Sequence, residues 1–468
     1  MNHEEIKSFI DQTWDTSIIP ALVEYIPIPN KSPLFDSKWK EHGYMDKAVK
    51  LITDWCLAQP VKNMQLEVIQ LEGRTPVIFM EIAGDSEDTL LLYGHLDKQP
   101  EMVGWDEDLG PWLAVIKDDK LYGRGGADDG YAAFASLTAI IALQRQNIPH
   151  GRCVILIEAC EESGSYDLPF YIDALKDRIG KPDLVICLDS GCGNYEQLWI
   201  TTSLRGLVGG TLDIEVLTEG VHSGMGSGIV PSCFLVLRQL LARIEDKTNS
   251  KILLDDLQVE IPADRMQQAK QAATVLKNTI YEALPFAKGV KPVSADPLEL
   301  ILNRTWRAAL SVTGAENIPP LENAGNVTLP TLTLKLSMRI PPTCDMDVAA
   351  KAIKEALETN TPFNAKVTFD PKDRGPGWNA PTASPWLVEA ASKASQNYFG
   401  KEAVYMGEGG SIPFMGMLGK KFPEAEFLIT GLLGPKSNAH GPNEFLHIPT
   451  GKKLTCCVAQ VIAEHFDR

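Results

Sequence analysis

The chain has 468 residues, 44% of them apolar and 22% charged, with a formal net charge of -17. That length exceeds the roughly 250 to 300 residues at which one core stops growing, so at least two domains are expected, and the ordinary apolar content excludes extensive disorder. An acidic balance with no clustered Lys and Arg excludes a nucleic-acid surface, and no stretch approaches the roughly 20 apolar residues of a membrane span.

The opening MNHEEIKSFIDQTW is amphipathic and acidic where a signal peptide needs a basic region, so a helix and a cytoplasmic location are expected. A second helix is expected around 45–58, ended by Pro60, followed by strands near 64–70, 77–82 and 89–93. After Gly130 the stretch YAAFASLTAIIALQRQ has an apolar stripe at helical spacing and stops at Asn147, before Pro149. This helix should start at the acidic GADDG segment, 126–130, where its N-terminal dipole would favour an ionised Asp128. The runs CVILIEA at 153–159 and LVICL at 184–188 read as further buried strands.

From about residue 204 the pattern becomes strand 206–217, helix 232–246, strand 331–340, helix 346–358 and strand 364–370, a two-layer unit able to fold alone. Residues 250–320 give no clear pattern. The segment DPKDRGPGWNAP at 370–381 has the Pro, Gly and charge of a return linker, after which a helix near 385–398, a strand at 426–430 and a helix from about 450 follow. The expected fold class is therefore α/β. A mixed, largely parallel twisted sheet flanked by helices would be formed by residues 1–203 and 374–468, with an inserted two-layer α+β lid at 204–373.

Four acidic or histidine-bearing stretches follow the apolar runs, namely GHLDKQP at 94–100, GADDG, EESGS at 161–165 and LDS at 188–190; a fifth, AHGPNEF at 439–445, lies far along the chain. Strands of one sheet would bring them to its carboxyl edge, where α/β proteins place their chemistry. His95, Asp128, Glu162, Asp189 and His440 then offer two imidazoles and three carboxylates, a nitrogen and oxygen set for two divalent cations of the zinc, cobalt or manganese type. The four positive charges of two such ions would be met by the three carboxylates and a bridging hydroxide. Asp97, two residues after His95, can fix the histidine tautomer. Spacing alone does not decide which of Asp128 and Asp129, or of Glu161 and Glu162, binds metal. For each motif taken singly, a capped turn or a satisfied surface residue is an equally good account. Nine cysteines without a C-x-x-C pair support neither a disulfide framework nor a thiolate site, and Cys160 is expected to be core.

In order and spacing these five motifs resemble the M20 family of metallopeptidases, which contains carnosinase-type and other dipeptidases, over nearly the whole chain. The resemblance implies that His95, Asp128, Glu162, Asp189 and His440 hold the metals, with Asp128 bridging, Asp97 orienting His95 and Glu161 acting as general base. It also implies a job for the insertion. VHSG at 221–224 is similar to the lid histidine motif, making His222 the oxyanion stabiliser, supplied across a homodimer formed through the lid. Asn326 and Arg339 resemble residues that contact substrate, the latter through its terminal carboxylate. GEGGS at 407–411 is similar to the pocket-lining loop, with Gly409, Gly410 and Ser411 beside substrate and Glu408 as partner of its amino group. The implied enzyme is a hydrolase that cleaves dipeptides or small peptide-like amides by attack of a metal-bridging hydroxide, with zinc foremost and manganese or cobalt as alternatives. Removal of an acyl group from an N-acyl amino acid on the same scaffold is the second reading. One departure stands out: many members carry Lys after the paired acids, where this chain has Gly130 and Tyr131.

Overall fold

Apolar runs without polar alternation can be buried on both faces only in the middle of a sheet covered by helices. In the computed structural model, which describes residues 1–468 apart from the side chain of Pro413, those runs are strands Ser86–His95, Gly151–Glu158 and Pro182–Cys187 of a six-stranded mixed sheet. Across the sheet the order is Met64–Ile69, Val77–Ile82, Gly151–Glu158, Ser86–His95, Pro182–Cys187, Glu426–Ile429. The last four are mutually parallel and the first two join antiparallel. Register sets His95 opposite Glu158 and Tyr93 opposite Cys187, so three strands end at one edge.

Two compact units are present: residues 1–201 with 380–405 and 413–468, and residues 202–379 with 406–412. In the first, helix Ala132–Arg145 is buried everywhere except at Arg145, because the helix Ile448–Phe466 and the N-terminal helices pack on it. That explains an alanine-rich sequence with apolar residues on every side rather than on one stripe. Phe134 of this helix meets Trp55 edge to face at 4.8 Å between ring centroids.

The second unit is a four-stranded antiparallel sheet in the order Ala309–Glu316, Thr331–Ile340, Gly206–Glu215, Lys366–Gly375. Strand Thr331–Ile340 alternates strictly: Leu332, Leu334, Leu336, Met338 and Ile340 are buried with Val236 and Leu240 of helix Cys233–Leu241 and Ile353 and Leu357 of helix Met346–Glu358. Arg339 therefore belongs to the face away from those helices.

Two expectations change. The segment 370–381 is not a plain linker, since strand Lys366–Gly375 runs through it and Trp378–Asn379 pairs again. Pro371 falls at a register irregularity between Asp370 and Asp373 on an edge strand, the one place in a sheet where proline is tolerated. Residues 250–320 contain helices Ala263–Leu276 and Pro297–Thr305, the second capped by the Asp296 carboxylate on Leu298 N at 2.9 Å, and then strand Ala309–Glu316. All nine cysteines are buried and unbridged. No helix among the described residues is long and apolar enough to cross a membrane.

Truncating Phe134 to Ala should remove about 3 to 5 kcal/mol of stability from the first unit. Calorimetry of the metal-loaded chain should show its lowest transition shifted down by several degrees, and an unchanged transition would contradict the packing described.

Candidate metal centre

The strand ends deliver a cluster centred on Asp128. His95, the last residue of its strand, is buried; its Nε2 lies 3.2 Å from Asp128 Oδ1 and 3.7 Å from Asp189 Oδ2. The other Asp128 oxygen, Oδ2, is 3.0 Å from His440 Nε2, which is also 3.3 Å from Glu162 Oε2. Two donor sets result, His95, Asp128 and Asp189 on one side and Asp128, Glu162 and His440 on the other, each with its donor atoms within 4.8 Å of one another. Asp128 is common to both, and each of its oxygens faces a different imidazole.

Backbone geometry makes this possible. Between Gly125, whose φ of 77° favours glycine, and Tyr131 the chain forms an irregular turn, with Asp128 at φ -121°, ψ 87° and a cis Asp128–Asp129 peptide. The two acids diverge: Asp129 turns inward, its Oδ2 accepting from His95 N at 3.3 Å while Oδ1 is buried without a partner. His440 itself sits in the left-handed region at φ 64°, a strained conformation for a non-glycine residue.

Burial pushes the Asp128 carboxyl up, but hydrogen bonds from His440 and His95 outweigh it and hold the group well below the usual range. Both imidazoles act in this direction, His440 first and His95 next. Burial raises Asp129, Glu161, Glu162 and Asp189, and nearby carboxylates add to the shift. For His95, burial is overcome by the charges of Asp189, Asp128 and Asp97, so the imidazole pKa rises. No lysine or arginine among the described residues forms an ion pair with any of these acids. Such a crowd of carboxylates around two imidazoles, with a buried unpartnered oxygen, is the donor chemistry that two divalent cations satisfy. The residues present fit a dinuclear centre.

Several supporting contacts, including the one Asp97 makes, had no signal in the sequence. Asp97 stands 3.6 Å from His95 Nδ1 by its carboxylate, whereas its backbone oxygen is closer at 3.1 Å. The carboxylate instead accepts the backbone N–H groups of Glu161 and Glu162, both at 3.0 Å, and so fixes the turn that presents them. Gln99 Nε2 donates to Glu162 Oε2 at 2.6 Å. Arg124 and Glu444 form a buried ion pair; Glu444 also accepts from Gly125 N at 2.9 Å, and Arg124 Nη2 donates to the Gly441 carbonyl at 2.8 Å. This clasp ties the loop bearing Asp128 to the loop bearing His440. Lys98 is buried with Nζ bonded to the carbonyls of Tyr25, Ile26 and Ile28.

The departure at Gly130 and Tyr131 also has a physical reason. A Cβ on Gly130 would lie 2.3 Å from Tyr25 Cε1 and 2.6 Å from the Gly125 carbonyl, so no side chain fits. Tyr131 is buried and donates its hydroxyl to the Leu188 carbonyl at 2.6 Å, steadying the residue before Asp189.

The remaining candidates belong to the second unit. His222 is exposed, its Nδ1 accepting from Gly224 N at 3.0 Å, and Ser223 N bonds the Asn326 carbonyl at 2.8 Å, which brings the His222 and Asn326 segments together. Arg339 is half-buried, and its guanidinium has no ion-pair or hydrogen-bond partner among the described residues. Glu408 lies 3.9 Å from Arg304 Nη2, the Gly409 carbonyl accepts from Arg205 Nε at 3.1 Å, and Gly410 is exposed with Ser411 half-buried beside it.

The sequence model of Peptidase family M20/M25/M40 matches residues 91–464. Among curated proteins, the Cysteinylglycine-S-conjugate dipeptidase of Corynebacterium striatum is 27% identical over 374 residues, 78% of each chain. The Cys-Gly metallodipeptidase DUG1 of Saccharomyces cerevisiae is 27% identical over 403 residues, 82% of this chain and 79% of its own, and human Beta-Ala-His dipeptidase is 25% identical over 439 residues, 88% and 83%. The solved structure of the yeast dipeptidase Dug1p superposes with a TM-score of 0.75 at 23% identity, covering 99% of both chains; human carnosine dipeptidase 1 gives 0.75 at 21% over 99% and 100%. These likenesses establish the fold.

A carboxylate cluster of this kind is destabilised without cations. Chelation is expected to lower the thermal midpoint, and zinc added back should restore it at two equivalents per chain, with about 2.7 kcal/mol recovered at a hundredfold excess over the dissociation constant. A midpoint indifferent to metal would count against the centre.

Proposed function

The chain belongs to peptidase family M20/M25/M40, and on that footing we propose that it is a two-metal dipeptidase acting on dipeptides or small peptide-like amides. The single observation that carries this reading is Asp128, with one oxygen toward His95 and the other toward His440, flanked by Asp189 and Glu162. His95 and Asp189 would hold one cation, Glu162 and His440 the other, and Asp128 both. Divalent ions there, most reasonably zinc with manganese or cobalt as substitutes, would acidify a water and polarise a carbonyl.

Glu161 is the acid-base residue of the proposal. Its turn is pinned by Asp97 through two backbone amides, which supports a carboxylate facing the cluster, while Glu162, the next residue, turns to His440. A Glu161 oxygen takes the proton as water adds to the scissile carbonyl carbon, and returns it to the amide nitrogen as the C–N bond breaks, leaving a free amine and a carboxylate. Asp97 is thus a positioning residue, and the Arg124–Glu444 clasp keeps the two ligand loops at working distance.

In the second unit, His222 is proposed to donate to the developing oxyanion and Arg339 to take the substrate's terminal carboxylate, for which a partially buried guanidinium without a partner is well suited. Asn326 and Gly409, Gly410 and Ser411 would line the substrate. Glu408 is proposed to receive the substrate amino group, its 3.9 Å separation from Arg304 being at the outer limit of ion pairing and leaving it capacity. Homodimerisation through this unit is supported by its exposed apolar residues, among them Met225, Ile229 at 83% and Leu321 at 94% exposure, and by the free edge of strand Ala309–Glu316.

Replacing Glu161 by Gln should reduce kcat by about a thousandfold or more with two metals per chain retained; comparable turnover would remove Glu161 from the mechanism. A panel of dipeptides beside N-acetyl amino acids separates peptidase from deacylase, and the dipeptides should be cleaved. Light scattering should give twice the chain mass for the native protein and a single chain mass for Ile229→Asp; a native monomer would refute the dimer.

A further inference from the structure

The second unit concentrates guanidinium groups, of which the proposed hydrolysis uses only Arg339. Arg205 is buried and immobilised, donating from Nε to the Gly409 carbonyl at 3.1 Å and from Nη1 to the carbonyls of Asn303 and Arg307 at 3.1 and 3.2 Å. Arg304, on helix Pro297–Thr305, reaches Glu408 only at 3.9 Å, and its Nε is buried with no hydrogen-bond partner. Arg339 pairs by its backbone with Leu207, two residues beyond Arg205, on the sheet face away from the packed helices.

Burial first, then the positive charges of Arg339 and Arg304, push the Arg205 guanidinium down to about 9, with Glu408 opposing them. A fourth arginine, Arg307, does not contribute, because its fork is taken by both oxygens of Glu299 at 2.7 and 3.1 Å. Three cations therefore share one carboxylate in a partly desolvated place. Mutual repulsion there is unfavourable unless anions of the ligand complete the set, and with Glu408 turned to the substrate amino group the two less tightly bonded guanidinium groups, Arg304 and Arg339, can each take one carboxylate. Arg205 is bonded to backbone carbonyls and supplies a fixed charge, whereas Arg304 and Arg339 have the open donors.

We infer that Arg304, together with Arg339 and the fixed charge of Arg205, makes a two-carboxylate subsite that selects dipeptides with Asp or Glu on the carboxyl side of the scissile bond. The inference rests on the dipeptidase reading, in which Arg339 takes the terminal carboxylate, and adds the side chain that accompanies it. Arg304 is the specificity-determining residue because its buried Nε has no partner, its side chain is 41% exposed, and its Nη2 meets only Met406 Sδ and Glu408, both at 3.9 Å.

The experiment compares isosteric substrates. With the full-length, metal-loaded chain, kcat/KM for Ala-Glu should exceed that for Ala-Gln by about tenfold or more, mostly through KM, and the ratio should shrink as salt is raised. Arg304→Gln should bring the ratio to about one, Arg304→Glu should invert it, and Arg304→Lys should restore part of it as a point charge. A wild-type ratio near one, or a preference that survives Arg304→Gln, overturns the subsite while leaving the dipeptidase reading intact. Absence of turnover with Ala-Gln, Ala-Ala and Ala-Glu alike would overturn the dipeptidase reading itself, and the subsite with it.

Discussion

Placing several carboxylates within a few ångströms of one another inside a protein is unfavourable, and the first unit is organised around that difficulty. Asp128 lies between two imidazoles; Asp189, Glu162, Glu161 and Asp129 crowd around it, and burial and mutual repulsion drive most of their pKa values upward. Everything nearby is arranged to hold this array still. Asp97 fixes the Glu161–Glu162 turn, Tyr131 fixes the residue before Asp189, and the Arg124–Glu444 pair fixes the loop of His440. A rigid frame matters because cation affinity depends on donors that are already converged before an ion arrives.

The parallel strands explain why so much of this centre was legible in the sequence. An unbroken apolar run followed directly by a polar residue identifies both a central strand and the edge at which it ends, so TLLLYGH, CVILIEA and LVICLD each mark a strand and a nearby member of the carboxylate and histidine cluster. The M20 resemblance then chose between neighbours that spacing could not separate. What the chain did not disclose are contacts between distant polar residues. Nothing in GRGG or NEF indicates that Arg124 and Glu444 meet, and the preference of Asp97 for two backbone amides over an imidazole depends on how the 160–165 turn closes.

In the second unit, strand Thr331–Ile340 and its packed helices follow from strict alternation and an amphipathic stripe. Residues 250–320 show no clear pattern because helix Ala263–Leu276 is polar and buries alanines and an arginine rather than a stripe of large apolar residues, while in 370–381 an edge strand carries proline and charge without losing its pairing. The arginine cluster was equally hidden: Arg205, Arg304 and Arg339 are spread over three elements, and only folding shows how few acids attend them.

The Arg124–Glu444 clasp joins residues 320 positions apart, and His440 lies on the same late segment. During vectorial synthesis His95, Asp128, Glu162 and Asp189 must therefore wait until the segment around residue 440 has been made. Hydrolytic competence is consequently a late event in the life of the molecule, and a product terminated ahead of that loop would lack both the second imidazole beside Asp128 and the partner of Arg124.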